Sequence, residues 1–580
     1  MQTPSLDLAW LHPTKIYNRL LAGQSRAYYE HTLRTATSYE EWIEAATVLD
    51  EMDGFDEWKR ELESPDYDWE LVKARLDQLR QIRWSNKGQS DMIFALRTSL
   101  ARNLGDMGNP KLYSYSRVGT KELTTEYIEE VVRQLNWICD EPADPDEQLD
   151  LKAKHEFFMN IRQSFGRTAL LLSGGGTLGL NHVGVIKCLY EAHLLPRIIS
   201  GASSGSIMAS ILCTKTNDEL QGMFDPSTFR LDVFEKEGEP DTLLARLHRL
   251  LSTGQMFDVD ILREALRANL GDMTFQEAFN RTRFILNITV SSSTLYDMPR
   301  LLNYLTAPDV LIWSAVAASC AVPVFYASTP LFSKDKNGKV VPWNPSDQLY
   351  IDGSVENDLP MNKLSELFNV NHFIVCQVNP HVIPFLQKAN TPSQLRKAAN
   401  FCMHMAKTEA QHRCTQLTEL GIMPSFFNKI QSIMSQKYSG DITIIPDIGY
   451  SDFFRVLSNP TQDMVEECIQ RGERATWPKM SIIENHLQIE LSIDQILYRL
   501  RLHRLNELQS KKNRPTLENR STSQININQY PITHLTEEEQ EEQKKRTEIT
   551  DPNKENHMIQ SFNLKERSSN KRGLLMTKPE

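Results

Sequence analysis

Apolar residues recur at three- and four-residue spacing through residues 39–160, a rhythm that predicts helices. EEWIEAATVLDEMDGF and WELVKARLDQLRQIRW carry it most plainly. SPDYD between them reads as a turn with a helix start, capped by Asp66 or Asp68. MIFALRTSLARNL predicts a third helix that stops at Gly105 and the GNP turn. TKELTTEYIEEVVRQLNWI predicts a fourth, with Thr120 or Thr125 as candidate caps. EPADPDEQ at 141–148 reads as a boundary loop.

From Ala169 the pattern changes. The short apolar run ALLLS is followed by GGGTLG and then by a helical pattern in NHVGVIKCLYEAHL. RIIS, GASSG and SIMASILCTK repeat that order. Strand, glycine turn and helix, twice over, predict α/β units with parallel strands. RFILNITVSSS and HFIVCQVNP read as further strands, and LYIDGS as a strand ending in a turn. Residues 387–505 read as mostly helical, with DITIIP as a strand. From 506 to 580 there are 13 Lys+Arg, 12 Asp+Glu and only two aromatics, Tyr530 and Phe562. That stretch buries too little apolar surface to offset its ordering entropy and is expected to be a disordered charged tail.

Composition narrows the class. With 580 residues, 40% hydrophobic and 24% charged, the chain is globular. At roughly 150 residues per domain, three to four domains are expected. The eight cysteines are scattered and form no C-x-x-C, which argues against a disulfide scaffold, a zinc ribbon or a thioredoxin-type redox site. A net charge of −11 disfavours nucleic acid as the main ligand, because phosphate binding needs a basic face. MQTPSLDLAWLHPTKIY has no basic stretch leading into an apolar one, so the expectation is an intracellular chain without a signal peptide. Two uncharged stretches raise the question of a membrane span. Thr168–Ile186 holds five glycines, and Val310–Ser333 holds Pro323 and Pro330.

The candidate chemistry sits in the glycine turns. Gly201-Ala202-Ser203-Ser204-Gly205 fits G-x-S-x-G, in which small flanking residues allow a sharp strand-to-helix turn that lifts one serine out of the sheet. Ser203 alone has glycine two residues before and two after. The dipole of the helix that follows favours negative charge developing at that oxygen. One α/β unit earlier, the backbone N–H groups of Gly174, Gly175 and Gly176 can form an oxyanion hole. With Gly179 the same letters satisfy the dinucleotide fingerprint G-x-G-x-x-G. That fingerprint wants an acidic residue about 20 positions on, where Ser200 and Gly201 stand instead. Asp352-Gly353, after the run LYI, places a carboxylate at a strand end; buried beside a serine, its pKa can rise enough to take the proton. The same pair also reads as an ordinary turn. His182, on the helix after the glycine loop, is read as a packing or hydrogen-bonding residue, with membership of a triad as the alternative. No cluster of metal ligands stands out.

Glycine-rich loop, G-x-S-x-G and D-G, in this order, resemble the patatin-like phospholipase family. DEWKRELESPDYDWELVKARLDQLR, NPKLYSYSRVGTK and TEYIEEVVRQL are similar to the helical domain that precedes the patatin domain in fungal and plant triacylglycerol lipases. IWSAVAASCAVPV, DGSVENDLP, QVNPH, QKYSGDITIIP and GERATWP are similar to the same lipases further on, so the resemblance covers roughly residues 35–500. It implies a patatin-like α/β/α sandwich with a mostly parallel sheet at 168–370. A helical domain would precede it at 35–160 after an extension at 1–34. A mostly helical extension at 371–505 and the tail at 506–580 would follow. It implies Ser203 as nucleophile, Asp352 as base, the glycine loop as oxyanion hole and no cofactor. The implied activity is hydrolysis of acylglycerol esters at a lipid droplet, with peripheral or monotopic attachment and the endoplasmic reticulum membrane as a further location. No protein partner is implied. A phospholipase A or lysophospholipase, or a lysophospholipid acyltransferase, on the same dyad is the alternative. No histidine has Asp five residues on, so the H-x-x-x-x-D of acyltransferases is missing.

Two residues depart from the family pattern. Leu178 stands where many members have Arg or Lys, which favours a neutral lipid, and Asp352 is followed by Gly-Ser. A single membrane span at 310–333 would put Ser203 and Asp352 on opposite sides of a bilayer, so that stretch is expected to be buried core and loop. Two segments are candidates for docking on lipid: ILYRLRLHRLNEL at 496–508 and the apolar loop after Cys320.

Overall fold

The computed structural model describes residues 25–85, 89–141, 150–224, 234, 243–292, 299–323, 325–343, 348–354, 358–380, 382, 405, 408–409, 412–420 and 438–512. The boundary loop (but for Glu141), most of 383–437 and the tail from 513 lie outside the described residues.

In chain order, the helices used below are α1 (Tyr39–Asp53), α2 (Trp69–Trp84), α3 (Gln89–Ser99), α4 (Glu122–Asp140) and α5 (Leu151–Phe165). They continue with α6 (Asn181–Glu191), α7 (Ser204–Thr214), α8 (Val259–Leu270), α9 (Ile312–Ser319), α10 (Met361–Phe368), α11 (Gln462–Thr476) and α12 (Met480–Lys512). The strands are β1 (Arg167–Leu172), β2 (Ile198–Gly201), β3 (Ile285–Ser292), β4 (Arg300–Leu302), β5 (Phe332–Lys334), β6 (Val340–Pro342), β7 (Tyr350–Asp352), β8 (Val370–Cys376) and β9 (Ile442–Ile444).

Helix α2 has the limits its period predicts, and Asp68 caps it by accepting the Leu71 N–H at 3.1 Å. Two expectations fail locally. Helix α3 stops at Ser99, not Gly105. The Thr98 and Ser99 hydroxyls donate back to helix carbonyls, which loosens the last turn, and Arg102 is drawn off to bond the His486 carbonyl at 2.7 Å. Neither Thr120 nor Thr125 caps α4. Lys121 stands at the cap without a side-chain capping bond, its ammonium donating instead to the Trp58 and Glu61 carbonyls, and the Thr120 hydroxyl donates to the Leu112 carbonyl.

The main sheet runs β4-β3-β2-β1-β8-β9, with β7 also paired to β3. β1, β2, β8 and β9 pair in parallel, as do β2 and β3, whereas β4 and β7 are antiparallel to β3. Alternation along β1 sorts two layers. Leu170 and Leu172 join the core built with α6, α7, α8, α9 and α11, and Ala169 and Leu171 join the smaller core under α10. This is an α/β/α sandwich with a mostly parallel sheet. The helical region before it has its own core from α2 to α5.

One helix serves both cores. The first turns of α12 (Ile482, Ile483, Leu487) pack in the sandwich, and Ile489, Ile493, Ile496, Leu497 and Leu500 pack in the helical core. At the crossing, buried Glu490 pairs with Arg102 (2.8 Å) and Arg162 (3.2 Å) and accepts both the Thr168 N–H (3.0 Å) and the Thr168 hydroxyl (2.6 Å). The candidate docking segment 496–508 is therefore the far part of a long helix. One side of it is buried on the helical core, and Tyr498, Leu502 and Leu505 are exposed on the other.

Val310–Ser333 contains the eight-residue helix α9, every residue of which is buried. Among the described residues no helix is long and apolar enough to cross a membrane. Removing the Glu490 carboxylate would leave the buried Arg102 guanidinium without its ion partner, while Arg162 keeps Asp494 at 2.6 Å. Glu490→Ala is expected to cost about 3–5 kcal/mol of stability, read as a lowered denaturant midpoint. A loss below about 1 kcal/mol would show that this cluster does not tie the two cores together.

Candidate active site

β2 ends at Gly201, and the chain turns into α7 within three residues. The turn places Ser203 at φ 50°, ψ −127°, a conformation that a residue with a Cβ rarely adopts. The surroundings hold it there. A Cβ on Gly205 would collide with the carbonyl oxygens of Leu172 and Ser173, so only glycine lets α7 start this close to the end of β1. The Gly205 and Ser206 N–H groups donate to the carbonyls of Ala202 (2.9 Å) and Ser203 (2.8 Å). The Ser203 N–H donates to Ser319 Oγ at 3.0 Å, and that hydroxyl donates to the Thr289 carbonyl on β3 at 2.8 Å.

Asp352 arrives from the other direction. Val290 of β3 pairs with both Arg300 and Asp352, so β4 and β7 lie on opposite edges of β3. Ile288 pairs with Gly201 and Leu302 by the same logic. β7 thus takes over the edge that β2 gives up at its last residue, which brings Asp352 beside the Ser203 turn. Gly353 is required here: a Cβ would sit 2.5 Å from the carbonyl carbon and oxygen of Thr289. Asp352 is fully buried; its N–H donates to the Ala321 carbonyl (3.0 Å) and its Oδ1 accepts the Ser354 N–H (2.7 Å). Its Oδ2 is buried and accepts no hydrogen bond of ordinary geometry from the described residues. Burial pushes the carboxyl up to about 6, opposed by Ser354 and by the nearby Ser203 hydroxyl.

The glycine loop closes the third side. A Cβ on Gly174 would lie 3.2 Å from Ser203 Cβ, so loop and serine are in contact range. The three N–H groups are not equivalent. Gly174 donates to Asp358 Oδ1 at 3.1 Å, whereas Gly175 and Gly176 donate to none of the described residues. Ser203, Gly175 and Gly176 are half-buried, and Asp352 and Asp358 behind them are buried. The groups with access to a substrate are the serine and two donors, and the carboxylates are shielded.

His182 is not in this constellation. Fully buried, it donates from Nε2 to the Ser173 carbonyl (2.9 Å), and its Nδ1 faces Cys376 Sγ at 3.0 Å. Burial lowers its pKa to about 4, so it is a neutral residue that pins the start of the glycine loop. Leu178 is buried in the sandwich core and presents nothing to a substrate, which removes the ground for reading it as a headgroup selector. Among the described residues no three His, Cys, Asp or Glu side chains gather as metal ligands. Sequence reasoning missed Ser319, Asp358 and Asn379. The last two stood in DGSVENDLP and QVNPH as polar residues beside strand ends, a signal too common to select them.

Two family models match the chain: a domain of unknown function, DUF3336, over residues 19–163, and patatin-like phospholipase over residues 170–364. Triacylglycerol lipase 4 of Saccharomyces cerevisiae is 42% identical over 80% of this chain and 52% of its own length. Triacylglycerol lipase ptl3 of Schizosaccharomyces pombe is 39% identical over 80% of this chain and 96% of its own length. Triacylglycerol lipase SDP1L of Arabidopsis thaliana is 39% identical over 81% of this chain and 58% of its own length. The chain thus spans little more than half of the budding-yeast and plant relatives and nearly all of the fission-yeast one.

The backbone at Ser203 yields a test of strain. Replacing it by glycine relieves about 1–3 kcal/mol and adds about 0.5–1 kcal/mol of unfolded-state entropy. Ser203→Gly is therefore expected to raise stability by about 1 kcal/mol while abolishing labelling by a serine-directed fluorophosphonate. A melting midpoint below that of the unaltered protein would refute the strain.

Proposed function

Because the chain belongs to the patatin-like phospholipase family, we propose that it is a triacylglycerol lipase acting through a Ser203–Asp352 dyad. The observation that carries the chemistry is the half-buried, strained Ser203 beside a fully buried carboxylate whose Oδ2 accepts no hydrogen bond from the described residues. Asp352 takes the Ser203 proton as Oγ attacks the ester carbonyl. The tetrahedral oxyanion is held by the free N–H groups of Gly175 and Gly176, with the N-terminal dipole of α7 behind the serine. The glycerol oxygen leaves with the proton. Water then attacks the acyl-enzyme, gives its proton to Asp352 and releases the fatty acid and Ser203.

The substrate class rests on relatives. Three of them, 39–42% identical over about four-fifths of this chain, are named triacylglycerol lipases. A long-chain triacylglycerol lies in an apolar phase, so the enzyme works at its surface; a lipid droplet is the proposed site. The family model's own description, patatin-like phospholipase, favours phospholipid as the second reading.

Fatty-acid release from emulsified triolein and from phosphatidylcholine, measured side by side, tests both readings. The unaltered enzyme is expected to prefer triolein, and Ser203→Ala and Asp352→Asn each to lower the rate by about 10⁴-fold with folding intact. Preference for phosphatidylcholine would keep the dyad and overturn the substrate, and silence on both would overturn the hydrolase.

The pH profile follows from the base. Asp352 works only when ionised, and its pKa is raised to about 6. On a soluble short-chain ester, kcat/KM should fall at least about tenfold per pH unit below that value. An acid limb at the ordinary carboxylate value, near pH 4, would contradict a buried base.

A further inference from the structure

Asp358 is buried, lies six residues after the proposed base and has no part in the mechanism above. Its two oxygens meet two donors on adjacent strand exits. Oδ1 accepts the Gly174 N–H just past β1 (3.1 Å), and Oδ2 accepts Asn379 Nδ2 just past β8 (2.6 Å). β1 and β8 are neighbours, with Leu172 opposite Cys376, so the carboxylate spans the point where the two strands open. The Asn379 N–H is itself held by Gln377 Oε1 at 3.2 Å, and the Val378 N–H by Ser173 Oγ at 2.9 Å. The donor side is therefore rigid.

We infer that Asp358 is a positioning residue for the oxyanion loop: by engaging the Gly174 N–H it fixes the first peptide of the loop, directly before the two peptides whose free N–H groups, those of Gly175 and Gly176, are presented to Ser203. The inference rests on the serine hydrolase reading given above. Chemistry explains why the residue is an acid and not an amide. Both partners are donors, and only an acceptor-only side chain satisfies them together. An amide would set its own NH₂ against one of them. The carboxylate keeps its place against a cost of burial, which pushes it up to about 7. The Gly174 N–H opposes that rise, the charge of Asp352 adds to it, and Asn379 opposes it. Among the described residues, Asp358 feels the charge of Asp352, and the Tyr438 hydroxyl feels that of Asp358.

Asp358→Asn, assayed on a soluble p-nitrophenyl ester, is expected to lower kcat by about 10²-fold, the scale of a misplaced oxyanion donor, with KM changed less than about twofold. Asn379→Asp sets two carboxylates face to face and should do the same. The double exchange, Asp358→Asn with Asn379→Asp, restores both bonds: the new amide accepts from Gly174 and donates to the new carboxylate. It should recover kcat at least about tenfold over either single variant. A residue needed only for folding would lower the melting midpoint and leave kcat alone, and the exchange would not rescue turnover. Full kcat in Asp358→Asn, or no rescue by the exchange, overturns the inference. If the single variant does not fold, kcat of the double variant decides. Ser203→Ala run in parallel separates the two readings. If it stays active the hydrolase assignment falls, whereas an inactive Ser203→Ala with normal Asp358→Asn removes only the role of Asp358.

Discussion

Everything at the candidate active site depends on how one edge of β3 is shared. β2 holds that edge as far as Ile288 and leaves it at Gly201; β7 takes it from Val290, running the other way. Two chain segments separated by about 150 residues are set end to end on a common backbone ladder. Ser203 stands two residues past the last residue of one, and the last residue of the other is Asp352. Hydrogen bonds of a ladder fix register to a single residue, because a slip by one turns every side chain to the opposite face. The meeting of serine and carboxylate is therefore as precise as β pairing, although both residues stand at turns. The two close approaches that only glycine permits, Gly205 under the carbonyls of Leu172 and Ser173 and Gly353 on Thr289, are conditions of that packing.

The same arrangement explains why the polar groups here are expensive to hold and are held nonetheless. Asp352 and Asp358 are both buried, both raised toward neutrality, and close enough that the charge of one lifts the other. In water neither would be a useful base at its ordinary pKa. Inside the sandwich the cost of burying charge is what gives Asp352 its proton affinity, and Asp358 has two donors to offset it. Strain at Ser203 belongs to the same account. The backbone bonds that keep the serine in an unfavourable conformation run to Ser319 and Thr289, on the helix and strand that also seat Asp352. Stability is spent where geometry is needed.

The legible parts of the sequence were those whose cause is local. The period of WELVKARLDQLRQIRW and the Asp68 cap act within one helix, and α2 has those limits. Strand, glycine turn and helix fit within about twenty residues, so β1, β2 and the turns that carry Gly174 and Ser203 could be placed from their letters. Asp352-Gly353 was legible as a strand end and a turn. What a single chain segment does not contain was lost. Asp358 and Asn379 matter only because β1 and β8, some two hundred residues apart, are neighbours in the sheet. Arg102 left the predicted third helix for Glu490, nearly four hundred residues away. Leu178 was read by analogy as a residue near the substrate, but the 3₁₀ turn after Gly175 carries it into the core. Burial of one residue is decided by elements that its neighbours do not encode.

The two ends of β1 divide the labour of the protein. At its start, Thr168 is tied to Glu490, and through it to Arg102 and Arg162 of the helical region; these are structural ion pairs. At its end the chain opens into the glycine loop beside Ser203, in keeping with the rule that open α/β sheets bind ligands beyond the carboxyl ends of their strands. For the proposed lipase, the division bears on how a lipid surface would be met. The exposed stripe of Tyr498, Leu502 and Leu505 lies on α12 beyond Glu490, where Arg499 bonds Asp140 and Asn136 of the helical region. That stripe continues from the structural end of β1, away from the strand ends that carry the serine. On the same proposal, a substrate drawn from an apolar phase would have to reach the carboxyl ends of β1, β2 and β7.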